Sequence, residues 1–166
     1  MFAQSPPADP KLTRVRRAFD AAAQRLQAAT TQAEVEDELS NMLHHLYRLG
    51  EMCRRRLAKP PAQQLSKKEF GERLRRGSID ERAARVAMWL RAEDTHKLVA
   101  VDLATAPDTY GDTYGDVYGA ADWKPITLTD QDPAAERHKD YPQVFQGQPV
   151  LDSTRRAFDA LAALLA

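Results

Sequence analysis

The chain has one cysteine in 166 residues, Cys53, so no disulfide can form within it. A secreted domain of this size ordinarily relies on several such bonds, and their absence points to a reducing compartment. Long apolar runs are missing as well: nowhere do about eighteen apolar residues follow one another, as a membrane-crossing helix needs. Met1 to Pro10 carries prolines and an aspartate where a secretory signal would have a basic start and an apolar stretch. A cytoplasmic protein with no membrane attachment is expected. There is no Walker-type loop and no dinucleotide fingerprint, and no nucleophile elbow occurs either, so nothing in the sequence supports nucleotide hydrolysis or serine hydrolase chemistry. No zinc-ligand spacing appears, and the aspartates at 108, 112 and 116 recur every four residues, whereas a calcium loop places its first ligands every two. Neither a metal nor a cofactor is expected.

Net charge is also absent, with 24 basic and 24 acidic side chains, yet the charge is unevenly placed. Residues 1–47 sum to minus one, residues 48–91 to plus eight and residues 92–166 to minus seven. A basic middle can meet phosphate by releasing condensed counterions, or lie against the acidic C-terminal part. Its candidate RNA-binding side chains are Arg54, Arg55, Arg56, Arg75, Arg76 and Arg85. Hydrophobic residues at 43% and charged residues at 29% describe a chain that folds, and the length suits one domain.

After a flexible lead over residues 1–10, Leu12, Val15, Phe19, Ala22 and Leu26 recur at three-and-four spacing, predicting a helix from Lys11 to about Ala29. Thr31 with Glu34 fits a capping box, in which hydroxyl and carboxylate each satisfy a free backbone N–H. It opens a helix whose apolar face runs Val35, Leu39, Met42, Leu43, Leu46, Leu49, Cys53 and Leu57, ending before Pro60 and Pro61. Residues 58–65 read as a connector. A second box, Ser66 with Glu69, starts a short helix that stops near Gly77, and a third, Ser78 with Glu81, starts a helix carrying Ile79, Ala83, Val86 and Leu90. That pattern weakens around Glu93 and Asp94 before Leu98 and Val101 resume it. Residues 107–131 form an irregular segment rich in tyrosine, aspartate and glycine, with DTYG twice and then DVYG between Asp108 and Gly119. A brief helix is expected from Pro133 to Lys139, and a last one capped by Asp152 and running through Phe158, Leu161 and Leu165. Arg16-Arg17-Ala-Phe19-Asp20-Ala recurs as Arg155-Arg156-Ala-Phe158-Asp159-Ala, which suggests that the two terminal helices pack side by side. The fold class is therefore all-α, an up-and-down helical bundle with an irregular C-terminal segment and a final helix.

The sharpest chemical candidate is Arg91-Ala-Glu-Asp-Thr-His96. A histidine titrating near neutrality can take the proton from a ribose 2′-hydroxyl, while a guanidinium neutralises charge developing on the attacked phosphate. Glu93 or Asp94 could hold the imidazole. Here the sequence resembles the HEPN superfamily, all-α bundles in which many members carry an arginine and a histidine with about four to six residues between them and act as ribonucleases. The likeness spans roughly residues 31 to 105. It implies a bundle of about four or five helices, usually a homodimer, with two such motifs facing one another across the dimer interface and Arg91 and His96 as the pair that cuts RNA. A toxin or defence component, with an antitoxin or other protein partner, would fit. On an unbroken helix, residues five apart point about 140° away from each other, so a joint site needs a bend or a dimer.

Two other classes stay open. Tyr110, Tyr114 and Tyr118 at equal intervals could form the recognition surface of a non-catalytic interaction module, and the basic middle could bind nucleic acid without cutting it. His44 and His45 are adjacent and do not share a face, so at most one could join a metal site, and a histidine hydrogen-bonded within the bundle is the simpler reading. Cys53 lies on the apolar stripe and reads as a small buried residue.

Overall fold

The structure, a computed structural model, describes residues 9–57, 64–92, 101–103, 121–123 and 139–165. Six helices occur among them: α1 (Pro10–Ala28), α2 (Gln32–Arg56), α3 (Lys67–Arg75), α4 (Ile79–Ala92), α5 (Tyr141–Val144) and α6 (Val150–Ala163). One antiparallel ladder joins β1 (Val101–Leu103) to β2 (Ala121–Trp123), with Val101 opposite Trp123 and Leu103 opposite Ala121. The chain is an all-α bundle with this small ladder at one side.

The helices begin where local chemistry says they must. Thr31 and Ser66 accept from the backbone N–H three residues on, while Glu34 and Glu69 reach back to the N–H of their caps. Ser78 and Glu81 repeat the exchange at the start of α4, at 2.7 and 3.2 Å. At α1 the Asp9 carboxylate accepts from Lys11 N–H, and Pro10 takes the first turn, where a missing donor costs nothing.

Residues 29–31 turn the chain so that α1 and α2 run antiparallel, pinned at the turn by Arg25 to Glu38 at 2.7 Å and at the far end by Arg56 to Asp9 at 3.7 Å. The α2 stripe from Val35 to Cys53 is buried against α1, α4 and α6. Gly50 lets α4 approach: a β-carbon there would collide with the end of the Met88 side chain. Across the bundle, Cys53 donates its thiol proton to the Leu161 carbonyl at 3.1 Å. The repeated hexapeptides meet as expected. Phe19 stacks on Phe158 with centroids 4.2 Å apart, Arg16 pairs with Asp159 at 3.0 Å, and the Arg16 guanidinium also lies 5.1 Å from the Phe158 ring centre. Both rings are almost fully buried, a burial that contributes about 1.5–3 kcal/mol apiece.

The C-terminal part is organised around Trp123. Its backbone N–H donates to Gln148 O at 3.1 Å and its carbonyl accepts from Gly147 N–H at 2.9 Å. Its indole N–H donates to Ser153 Oγ at 2.8 Å, and its ring packs on Phe145 and, edge to face, on Tyr141. Gly147 has φ +70°, the left-handed turn that brings the chain from α5 back alongside Trp123.

Three expectations are corrected. The stripe of α4 does not resume at Val101: residues 101–103 are extended because their backbone groups bond to β2. The segment 107–131 is not irregular throughout, since Ala121–Trp123 is that partner strand. Asp152 does not cap the last helix. Pro149 holds that position, and Val150, fully buried, starts the helix three residues earlier than expected, leaving Asp152 in the first turn, where its charge still suits the helix dipole. Of the brief helix expected over 133–139, residues 133–138 lie outside the described residues and Lys139 is in a turn; the short helix seen is α5.

Candidate phosphate site at the end of helix α4

Arg91 stands in the last turn of α4, half-buried. Among the described residues no carboxylate lies within ion-pair distance of it. Glu93, Asp94 and His96 fall outside the described residues, as do Tyr110, Tyr114 and Tyr118. The described neighbour of Arg91 is instead a histidine of α2. His44 is exposed, and its pKa lies below the usual 6.5 because partial burial disfavours the imidazolium and because Arg91 and Arg48 set positive charge beside it. Arg48 follows His44 by one helical turn, so both face the same side of α2.

His45 is half-buried, its ring edge-on to His44 with centroids 5.5 Å apart. Its pKa is lowered first by burial, then by His44, Arg48 and Arg25. Its Nδ1 is buried and meets no hydrogen-bond partner among the described residues. Both imidazoles are held toward the neutral form, the form that accepts a proton. Among the described residues no three histidine, cysteine or acidic side chains gather as metal ligands. Cys53 is buried, and burial pushes its thiol up to about 12, so it stays protonated as a packing residue.

The basic middle divides in two. Arg54 is held in the fold: it grips Glu51 with two nitrogens, the closer at 2.8 Å, and donates to Leu65 O at 2.6 Å. Arg85 and Arg82 meet Asp140, at 3.4 and 3.6 Å, so part of the basic middle does lie against the acidic C-terminal part. Arg56 pairs with Asp9, and Arg75 with Glu72 at 2.9 Å. Arg55 and Arg76 are exposed, with no described carboxylate at ion-pair distance. Arrayed near Arg91, Arg48 and His44 were missed as candidates, since only the packing of α4 on α2 joins them to the motif. The one signal available was the spacing of His44 and Arg48 by four.

No family model, curated protein or solved structure matches the chain. No described helix is long and apolar enough to cross a membrane.

Proposed function

We propose that the protein is a HEPN-like ribonuclease that cuts RNA without a metal, through Arg91 and His96. The observation that carries this reading is Arg91 itself: a guanidinium at the end of a bundle helix, unneutralised by any described carboxylate and set beside Arg48 and an imidazole. Leaving a half-buried cation without a counter-charge is costly unless a ligand supplies one, and a phosphate diester does.

The chemistry balances without a further reactant. His96 takes the proton of a ribose 2′-hydroxyl, and the 2′-oxygen attacks the adjacent phosphorus. The bond to the 5′-oxygen breaks, and that oxygen leaves with the proton that the His96 imidazolium gives back, giving a 2′,3′-cyclic phosphate and a 5′-hydroxyl end. Arg91 binds the non-bridging oxygens as charge builds on them, and Glu93 or Asp94 orients the imidazole. Since the motif supplies one pair per chain, a homodimer with facing motifs is part of the proposal.

The test is digestion of end-labelled single-stranded RNA in EDTA by the parent, Arg91→Ala and His96→Ala. The parent is expected to leave cyclic-phosphate ends, and each variant to be slower by about 10²–10⁴-fold with unchanged circular dichroism. Equal rates for all three proteins would overturn it. The β1–β2 ladder supports a second reading, an interaction module, because it fixes together the two chain ends that carry the tyrosine repeats. Under that reading Tyr110, Tyr114 and Tyr118 matter to partner binding, and Arg91 does not.

A further inference from the structure

A groove of about 470 Å³ runs between α1 and α2 at the end of the hairpin far from its turn. That is room for a small ligand or one nucleotide of a strand, within the roughly 300–1,000 Å³ usual for such sites. Val15 and Met52 contribute apolar surface to its wall, and Tyr47 contributes a half-buried aromatic ring. Four cations line it: Lys11 and Arg14 from α1, Arg48 and Arg55 from α2, all exposed.

What distinguishes these four is that none has a described carboxylate at ion-pair distance, while nearby Arg16, Arg54 and Arg56 each have one. The single acid in the lining, Glu51, is taken up by Arg54, whose hydrogen bonds hold its carboxyl below the usual range. The groove therefore presents four positive charges with no ion-pair partner among the described residues, around an apolar and aromatic wall. Arg48 and Arg55 are two turns apart on one face of α2, about 10 Å along the axis, which is further than one phosphate group extends. The charge continues past the groove, since Arg48 acts on His44 together with Arg91.

We propose that this groove is a binding site for single-stranded RNA, its phosphates held by Lys11, Arg14, Arg48 and Arg55 and an unpaired base stacked on Tyr47. A duplex keeps its bases stacked on each other and has none to offer the ring. An acidic peptide would answer the charge and leave the ring unused. That the strand is RNA, and the one cut at Arg91, rests on the ribonuclease reading; that the groove takes a single nucleic-acid strand does not.

The experiment is fluorescence anisotropy of a labelled 2′-O-methyl oligonucleotide of about twelve nucleotides, which cannot be cut through its 2′-oxygen. Affinity is followed against salt for the full chain and its variants, each checked for fold by circular dichroism. The triple variant Arg14→Ser, Arg48→Ser, Arg55→Ser is expected to lower the slope of log K against log salt by about 2, three contacts at about 0.7 each. Tyr47→Leu is expected to weaken binding by about five- to a hundredfold and leave the slope unchanged. Removing the same charge elsewhere, with Lys68→Ser, Arg73→Ser and Arg155→Ser, all exposed, is expected to do much less. Equal losses from both triple variants, no effect of Tyr47→Leu, or displacement of the probe by polyglutamate as readily as by unlabelled RNA would each overturn the proposal. The two readings fail separately. Groove variants that bind like the parent, with cleavage still dependent on Arg91, sink the groove alone; binding that maps to the groove in a chain that never cleaves RNA sinks the ribonuclease alone.

Discussion

Replacing Gly50 by alanine sets two effects of similar size against each other. Within the interior of α2 a glycine costs about 1 kcal/mol relative to alanine, so helix propensity alone would make the variant more stable by about that amount. Against it stands Met88 of α4, whose Sδ and Cε occupy the place the new β-carbon would take. Overfilling a packed interior costs about 1–3 kcal/mol. Here the atoms in the way are the far end of an unbranched, half-buried side chain that can swing toward solvent, which puts the cost at the low end, about 1–2 kcal/mol. Gly50→Ala should therefore range from neutral to about 1 kcal/mol less stable. In a Met88→Ala background the obstacle is gone, and the same change should stabilise by about 1 kcal/mol. Guanidinium unfolding of the four proteins, followed by far-UV circular dichroism, gives the coupling as a double-mutant cycle, expected at about 1–2 kcal/mol. If Gly50→Ala has the same effect in both backgrounds, the α2–α4 separation is not set by this contact, and the reasoning that places Arg91 beside His44 loses a support.

Two further outcomes are expected of the folded chain. Ser153→Ala removes the acceptor of the buried Trp123 indole N–H and should cost about 1–3 kcal/mol, with a changed near-UV signal from Trp123; an unaltered unfolding midpoint would contradict the role given to that bond. Because His44 and His45 are both lowered from 6.5 in the fold, the unfolded chain binds protons first on acidification. Their contribution to stability is complete above 6.5 and is lost as pH falls through the folded values. Thermal midpoints measured against pH should show this decline, and the double variant His44→Asn, His45→Asn should flatten it; a profile that survives the double variant refutes the assignment.

The parts of the fold legible in the sequence are those written in local chemistry. A hydroxyl and a glutamate three residues apart name a helix start wherever they fall, and Thr31, Ser66 and Ser78 each do so. The packing of α1 on α6 was legible for a different reason, since the twin Phe19 and Phe158 hexapeptides offer matching apolar faces and opposite charges. Val101 misled because apolar spacing on a short stretch fits a helix or a strand, and its ladder partner, Trp123, lies 22 residues on. Asp152 misled because a good capping residue was outweighed by the burial of Val150 just before it. As for the site, Arg91 and Arg55 could be named from sequence, but not their company. Which cations are spent on carboxylates, as Arg54 and Arg85 are, and which line the α1–α2 groove with no described carboxylate at ion-pair distance depends on how helices distant in the chain come together.

The β1–β2 ladder has a consequence for how the protein can change over generations. Leu103 and Ala121 sit opposite one another, so the chain between them departs and returns at a single point on the bundle. Inserting one more four-residue unit of the tyrosine repeat would raise the closure entropy by only about 0.2 kcal/mol, from the logarithm of loop length. Registration of the helices is untouched by that insertion. The repeat number is thus a dimension in which this lineage can vary while the helices keep their registration.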